Sequence, residues 1–309
     1  VHQSGVLLLN TESCTLYAID ATSGELLWSK WLAGYLYTTP SADDYNVYVV
    51  YENGGRNPLR PNEDRVLASF NLRTGAVNWM SWIDNEAIAC PVIAGDEVHV
   101  SSLSGQYYVY DKKTGTRREA AASIKAVSSP TVTATEIFVT ATVNGTEKLI
   151  VLDRTTLKKT REYSTKLNPA LVTVQSGLQE KMNFNGAHPI VYKNEIVILL
   201  EKDRVSAFDA KSEKVLWQKE LTTTNNQAPI IADGNVVVAG TNGKLMAYDL
   251  RTGSETVIVD TQGIIDGQPV VRNGLIYVAA GGILKIIRSV KKIEWTQWNK
   301  DPSHNLAWD

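Results

Sequence analysis

Histidines, cysteines and paired acidic residues are the side chains here that could do chemistry, because they bind metals, act as nucleophiles or transfer protons. The four histidines lie far apart, without the short spacing of metal ligands: His2, His99, His188 and His304. The two cysteines, Cys14 and Cys90, are too few and too distant for a disulfide framework or a cysteine-based zinc site. The sequence therefore predicts no metal site.

Other short motifs favour structural interpretations. Asp43 and Asp44 precede a strand-like run, and we interpret them as a solvated turn. Asn144-Gly145-Thr146 matches a glycosylation sequon, but Asn-Gly is also typical of a hairpin tip. The sequence contains no G-x-S-x-G motif, phosphate-binding loop or G-x-G-x-x-G motif. We expect no catalytic residue and no cofactor.

Composition narrows the class of protein. Of 309 residues, 43% are hydrophobic and 21% are charged, which is typical of a chain with a substantial core. The net charge of -2 provides no field to hold a polyanion, so neither nucleic acid nor a membrane surface is an expected partner. No apolar run is long enough to cross a bilayer.

An internal repeat organises the chain. A segment such as LYAIDATSGELLW occurs in seven copies, and we call its central residue the anchor. The anchors are Asp20, Asn71, Asp111, Asp153, Asp209, Asp249 and, in a degenerate copy, Arg288. Their spacing averages about 45 residues, the period of a four-stranded propeller blade. The chain is thus predicted to be all-β, a seven-bladed β-propeller of antiparallel blades.

Two further features keep the same register. Six prolines recur before alternating runs, and each is predicted to begin an innermost strand, where a missing amide donor costs least: Pro40, Pro91, Pro130, Pro189, Pro229 and Pro269. Tryptophans recur seven or eight residues after the anchors and are predicted to cover the seams between blades from the outer strands: Trp28, Trp79, Trp217 and Trp295.

The repeat gives approximate blade limits within one domain, 1–309. They are 1–33, 34–84, 85–123, 124–165, 183–222, 223–261 and 262–298, with a tail at 299–309. Because the chain enters at GVLLLN, we expect blade 1 to lack an inner strand of its own. The tail could pair there and close the ring, or the strand could come from upstream residues of a longer protein.

The repeat resembles that of the PQQ-like β-propeller family over essentially the whole chain. The pattern is [LV]-x-[AS]-[FIY]-[DN]-x-x-[TS]-G-x-x-x-W, combined with x-P-x-[VI]. The resemblance implies a bacterial exported protein, periplasmic or at the cell surface. This family includes quinoprotein dehydrogenases, but the chain has no Cys-Cys pair and no haem motif. Of the functions considered, a quinone-dependent dehydrogenase is therefore the interpretation that the sequence favours least.

Two long insertions, 52–65 and 164–188, are predicted to emerge on the same face of the propeller. Binding residues commonly lie on such loops above a rigid scaffold. Residues before the landmark prolines should form a ring around the channel mouth on this face: Tyr37, Glu86, Ser128, His188, Gln227 and Gln268. The candidate binding residues are Tyr37, Arg56, Arg60, Arg65, Glu86, Lys181, Asn185, His188, Gln227 and Gln268. An aromatic platform could be added by Tyr35, Tyr37, Trp31 and Trp82. Trp31 and Trp82 could instead pack beneath a neighbouring connection.

These observations predict a non-catalytic recognition or scaffold propeller. Its expected partner is a protein or an adjoining domain, and a carbohydrate or small polar ligand is also open. The alternative is an accessory domain that presents a glycan or phosphoester to the catalytic domain of a larger secreted enzyme.

Overall fold

A computed structural model describes residues 1–11, 13–32, 39–87, 90–118, 124, 126, 128, 130–144, 146–163, 190–193, 195–200, 204–221, 229–240, 242–265, 269–272, 275–288 and 293–295. All helix and strand assignments in these residues are β-strand. The strands are β1 (His2–Gln3), β2 (Val6–Asn10), β3 (Thr15–Asp20), β4 (Leu26–Trp31), β5 (Ser41–Ala42), β6 (Asn46–Glu52), β7 (Arg65–Asn71), β8 (Val77–Ile83), β9 (Val92–Ala94), β10 (Glu97–Ser101), β11 (Tyr107–Asp111), β12 (Arg117–Arg118), β13 (Thr131–Val132), β14 (Glu136–Val143), β15 (Thr146–Asp153), β16 (Lys159–Tyr163), β17 (Ile190–Tyr192), β18 (Ile196–Leu200), β19 (Arg204–Asp209), β20 (Val215–Glu220), β21 (Ile230–Ala232), β22 (Asn235–Ala239), β23 (Lys244–Asp249), β24 (Glu255–Asp260), β25 (Val270–Arg272), β26 (Leu275–Ala280), β27 (Ile283–Arg288) and β28 (Ile293–Trp295).

The strands form seven antiparallel sheets, numbered 1 to 7 in chain order. Sheets 1 to 6 each contain four consecutive strands, from β1–β4 to β21–β24, and sheet 7 contains β25–β27. The predicted all-β class and the division into seven small antiparallel sheets are confirmed.

The landmark prolines lie where the sequence predicts them. Five fall in the described residues and directly precede the first strand of a sheet: Pro40, Pro91, Pro130, Pro229 and Pro269. Pro189 lies outside the described residues. Proline has no amide hydrogen to donate. It is tolerated at the start of a strand because that amide need not pair with a neighbouring strand.

The anchor residue shapes the turn between the third and fourth strands. Asp20 Oδ1 accepts hydrogen bonds from the amides of Thr22 (2.9 Å) and Ser23 (3.0 Å). The Gly24 amide donates to the Asp20 carbonyl at 2.9 Å, with Gly24 at a φ of 75°. Leu157 and Glu213 hold the same positive φ in two other repeats. The turn is thus retained where glycine is absent.

Side chains near the fourth strand join successive sheets. Trp28 Nε1 donates to the Leu72 carbonyl at 2.9 Å, one residue beyond the next anchor. Equivalent bonds run from Trp79 to Lys112 and from Trp217 to Leu250, both 3.0 Å. The Tyr163 hydroxyl donates to the Ala210 carbonyl at 3.1 Å and so replaces tryptophan in the fourth repeat.

Sheet 1 differs from the sequence prediction. Its inner strand comes from its own repeat, because β1 pairs with β2 through His2↔Leu7 and Gln3↔Val6. The first strand of each sheet is only two or three residues long, so His2–Gln3 is long enough to form one. A strand this short shows no alternation of apolar and polar residues in the sequence, which is why it was not predicted. The tail, 299–309, lies outside the described residues.

The seventh repeat also departs from the prediction. The segment expected to form its outer strand, β28, pairs instead with β21 of sheet 6, where Ile231 stands opposite Trp295. Arg288 replaces the anchor carboxylate, and no glycine follows it before Trp295. The repeat therefore lacks the side-chain acceptor and the glycine that shape the tight turn elsewhere.

The chain divides into two compact units. One holds sheets 1 to 3, the other holds sheets 5 to 7, and the strands of sheet 4 are split between them. In the first unit, buried residues of sheets 1 and 2 form one apolar cluster, and those of sheets 2 and 3 form another. In the second unit, sheets 6 and 7 share a cluster. No helix long and apolar enough to cross a membrane occurs in the described residues.

Candidate functional site

The loop 53–64 connects β6 and β7, the second and third strands of sheet 2. It is closed by its own hydrogen bonds, because Asn57 donates from its amide to the Glu63 carbonyl at 2.8 Å. Asn57 Nδ2 also donates to Glu63 Oε2 at 2.6 Å, and its Oδ1 accepts from the Leu59 amide at 3.0 Å. The insertion is therefore a structured loop.

Glu63 fastens this loop to the next sheet. Its side chain is buried, and its Oε1 accepts a hydrogen bond from Arg117 Nη1, on β12 of sheet 3, at 2.8 Å. The Arg117 guanidinium also lies 5.3 Å from the centre of the Tyr108 ring, within cation–π range. The loop is thus held in a defined position, which lowers the entropy cost of binding a partner.

The tip of the loop is presented to solvent. Leu59 is 91% exposed, and Arg56 and Arg60 are exposed on either side of it. Arg60 Nη1 lies 3.6 Å from Glu63 Oε1. The loop therefore exposes one apolar side chain and, within three residues of it in the sequence, two arginines, a combination suited to a partner with an apolar residue beside an acidic one.

Arg65, the third arginine predicted for this site, has a structural position. Its Nε donates to Glu86 Oε1 at 2.6 Å. Its Nη1 lies 3.0 Å from Asp64 Oδ1, and its Nη2 lies 3.8 Å from Glu52 Oε2. Arg65 thus joins sheet 2 to the connection leading into sheet 3, and its guanidinium is occupied by these three carboxylates.

Glu86, predicted at the channel mouth, is 3% exposed. Burial raises the pKa of Glu86 to about 7, although the hydrogen bond and charge of Arg65 act in the opposite direction. Its Oε2 is buried and has no hydrogen-bond partner among the residues that the structure describes. A buried carboxylate with one unsatisfied oxygen is costly when charged, so this group binds a proton readily near neutral pH.

A groove of about 290 Å³ begins beside the first residue of the loop. It runs between β4 of sheet 1 and sheet 2. Its lining residues are Lys30, Trp31, Leu32, Tyr51, Glu52, Asn53, Phe70, Val77 and Met80. Trp31 is 69% exposed, whereas Trp82 is half-buried against the core of sheets 1 and 2. The two tryptophans therefore do not share a role.

The other predicted binding residues lie outside the described residues: Tyr37, Lys181, Asn185, His188, Gln227 and Gln268. The insertion 164–188 lies there too. Of the expected ring around the mouth, Glu86 and Ser128 are described. Ser128 is buried, and its Oγ accepts from the Thr140 amide at 3.0 Å.

His99 has the structural environment expected of a packed strand residue. It is fully buried, and its Nδ1 lies 2.9 Å from the Tyr107 hydroxyl. Burial lowers the pKa of His99, while the neighbouring Glu97 carboxylate, 3.2 Å from Nε2, acts in the opposite direction. In the described part of the chain, no group of three or more histidine, cysteine or acidic side chains is arranged to hold a metal.

Two features of this surface were missed at the level of sequence: the Glu63–Arg117 contact and the groove beside Trp31. In the sequence, Arg117 is one of several charged residues that follow an anchor. Its distance from Glu63 along the chain does not indicate that the two side chains meet. Val77 and Met80 are apolar residues of the outer strand β8 that line the groove, and only the structure shows that both are exposed.

Comparisons with known proteins agree with this architecture. A family model described as outer membrane protein assembly factor BamB matches residues 1–81 and 62–297. The chain is 31% identical over 115 residues to BamB of Francisella salina, covering 36% of this chain and 21% of that protein. It is 20% identical over 236 residues to BamB of Yersinia pestis, covering 74% of this chain and 58% of that protein. The chain thus spans less than two thirds of these curated relatives.

Solved structures show the same fold. The crystal structure of BamB from Moraxella catarrhalis matches with a TM-score of 0.66 and 15% identity, over 95% of this chain and 87% of that one. The computationally designed Ika8 protein matches with a TM-score of 0.55 and 14% identity, over 94% and 95%. The fold is a β-propeller, and the family's name describes an assembly factor, in agreement with a non-catalytic propeller. The family model spans most of the chain, and the protein belongs to the family of the outer membrane protein assembly factor BamB.

Proposed function

We propose that this chain acts in the periplasm of a bacterium, where it binds other proteins that assemble outer-membrane proteins. The family match over most of the chain carries this proposal. It favours a protein-binding propeller over the accessory domain of a secreted hydrolase.

The loop 53–64 is our candidate for the binding surface. It is fixed by Glu63 and Arg117, and it presents Leu59 between Arg56 and Arg60. Arginine is enriched among the few residues that dominate protein–protein affinity, and burial of the Leu59 side chain against a partner would add the free energy of removing apolar surface from water. We expect the partner surface to offer an apolar pocket with acidic residues at its margin.

A complementation experiment tests the assembly role. The chain is expressed in the periplasm of a bacterium that lacks its own BamB-family protein, and folded barrel proteins are quantified in its outer membrane. Their amount should rise towards that of the parent strain. No rise, with the chain present and folded, would contradict the proposal.

Site-specific photocrosslinking tests the surface. A photoreactive amino acid at Leu59 should form adducts with a protein of the assembly machinery. The same group at Lys113, which is exposed on the anchor turn of sheet 3, serves as the matched control. Arg56→Glu in the chain that carries the photoreactive group at position 59 should abolish the adducts, and Leu59→Asp in the chain without that group should abolish the complementation. Lys113→Glu should leave both intact. Equal crosslinking from Leu59 and Lys113 would remove the loop from consideration.

A further inference from the structure

Met80, on the outer strand β8, is an exposed methionine in the wall of the groove between sheets 1 and 2. The residue is 49% exposed. Tyr51, which is 7% exposed, donates a hydrogen bond from its hydroxyl to Met80 Sδ at 3.3 Å. The sulfur therefore belongs to an exposed side chain and at the same time has a protein donor in a fixed position.

The hydroxyl of Tyr51 is poorly satisfied by this contact, because a thioether sulfur is a weak hydrogen-bond acceptor. Burial raises the pKa of Tyr51, so the hydroxyl keeps its proton and remains a donor at neutral pH. A hydroxyl that leaves water recovers the lost free energy when it finds a good partner. An oxygen acceptor bound to the sulfur would therefore stabilise the Tyr51 hydroxyl.

Lys30 brings a second donor to the same groove. Its Nζ lies 5.1 Å from the centre of the Phe70 ring, within cation–π range, and this contact holds the ammonium group at the groove wall. An ammonium group and a hydroxyl both donate hydrogen bonds. The groove is thus suited to a small acceptor oxygen that carries partial negative charge.

We propose that Met80 is an oxidation site, where a peroxide converts the thioether to a sulfoxide whose oxygen accepts a hydrogen bond from Tyr51. With hydrogen peroxide, an S–O bond forms as the O–O bond breaks, and the sulfur loses two electrons. The released hydroxide takes the proton of the transferred hydroxyl and leaves as water. Because methionine has three rotatable side-chain bonds, the new oxygen can turn towards Tyr51.

The consequence is a sulfoxide that the fold accommodates. Oxidation of a methionine generally disrupts apolar packing, because it makes a flexible apolar side chain polar. At Met80 the new oxygen gains a donor that the thioether uses poorly. This inference does not depend on the proposed function, because it concerns only the chemistry of Met80 and its neighbours.

Limited treatment with hydrogen peroxide, followed by mass spectrometry of peptides, tests the reactivity. Met246, on β23, is the internal reference because it is less exposed than Met80. The sulfoxide should form at least about fivefold faster at Met80 than at Met246. Equal rates at the two residues would overturn the inference.

A double-mutant cycle tests the role of Tyr51. In a chain with Met182→Leu and Met246→Leu, Met80 is the one methionine left in the sequence. Complete oxidation should change its equilibrium constant of folding by less than about twofold, whereas in the same chain with Tyr51→Phe it should lower that constant at least about tenfold. Urea unfolding of the four species measures both changes.

Tyr48→Phe is the matched control for this cycle. It removes a hydroxyl of the same strand that donates to Asp43 Oδ2 instead of to the sulfur. Oxidation should affect this variant as little as it affects the chain with both tyrosines. An equal loss on oxidation with and without the Tyr51 hydroxyl would show an ordinary surface methionine, and the inference would fall.

Glutamine at position 80 imitates the product, because its side-chain carbonyl is a strong acceptor on a stem of similar length. Met80→Gln should therefore be tolerated when Tyr51 is present and should destabilise the Tyr51→Phe chain. Met80→Leu offers no acceptor, so its effect on stability should not depend on Tyr51→Phe. If Met80→Gln and Met80→Leu respond alike to the loss of the hydroxyl, Tyr51 does not bind an oxygen at this position.

Discussion

Arg117 Nη1 lies 2.8 Å from Glu63 Oε1, and this contact joins the long loop of sheet 2 to the short outer strand of sheet 3. The two residues are 54 positions apart, and both side chains are largely buried. Because the loop carries Leu59 at its tip, this ion pair fixes the position of the candidate binding surface.

Removing one partner of this pair should loosen the loop. Arg117→Met leaves Glu63 buried with a weaker set of donors, and we expect a loss of about 2–3 kcal/mol in the free energy of unfolding. Hydrogen exchange should accelerate in 53–64. Urea unfolding measures the first effect and mass-resolved exchange the second.

The double variant Glu63→Gln with Arg117→Met is the control, because it removes the buried charge together with its partner. It should regain part of the lost stability. If the single variant unfolds at the same urea concentration as the parent, the pair does not stabilise the loop.

Glu86 should make stability depend on pH in the neutral range. Its folded pKa of about 7 lies above the unfolded value of about 4.5, so the folded state binds more protons between these limits. The stabilisation is complete below about pH 4.5 and is lost as the pH rises through 7. The full shift corresponds to about 3 kcal/mol.

Glu86→Gln removes this titration. We compare the free energies of unfolding of the parent and the variant at each pH. The parent's value minus the variant's should fall by about 2–3 kcal/mol between pH 5 and pH 8. Chemical unfolding at four or five pH values measures the difference, in which the titrations shared by both proteins cancel. A difference that stays constant with pH would contradict the raised pKa.

Glu97 should show the opposite dependence. Partial burial raises the pKa of Glu97, but its hydrogen bonds with His99 and Arg154 and the charge of Arg118 outweigh that effect and hold the pKa at about 2. A lowered carboxylate pKa gives stability that is present above the unfolded value and is lost as the pH falls towards 2.

Glu97→Gln should therefore cost about 2 kcal/mol at pH 7 and progressively less below pH 4.5. Thermal unfolding between pH 3 and pH 7 measures this trend. Glu86→Gln is the comparison variant, because its effect on stability should change with pH in the opposite direction. A cost that grows on acidification would show that Glu97 is not held in its charged form.

Two anchor-turn glycines provide a matched pair for the seam between sheets. Gly24 and Gly115 both have positive φ, so alanine costs about 1 kcal/mol at either position. A Cβ on Gly24 meets nothing within 4 Å, whereas a Cβ on Gly115 would lie 2.5 Å from the ring of Trp79. Gly115→Ala should therefore destabilise the protein by about 2 kcal/mol more than Gly24→Ala. Equal melting temperatures for the two variants would show that the tryptophan does not pack on this turn.

The sequence by itself determined the repeat, the number of sheets, the positions of the inner strands of sheets 2 to 7 and the turns of the first six repeats. These features are local. A carboxylate two or three residues from the amides it accepts, a proline at the start of a strand and alternating apolar residues act over a dozen residues, so their spacing carries the information. Asp20 and its turn illustrate this, because the amides of Thr22, Ser23 and Gly24, which donate to Asp20, lie within four residues of it.

Only the tertiary structure decided which side chains meet across sheets. Arg65 seemed a free donor in the sequence, yet it is occupied by Glu86, 21 residues away, and Arg117 finds Glu63 at a distance of 54 residues. The seventh repeat keeps its apolar third strand, but the next segment pairs with β21 because its own turn lacks the anchor and glycine. Such pairings depend on how neighbouring sheets align and on which strand offers an unpaired edge. The order of residues along one strand does not encode either condition.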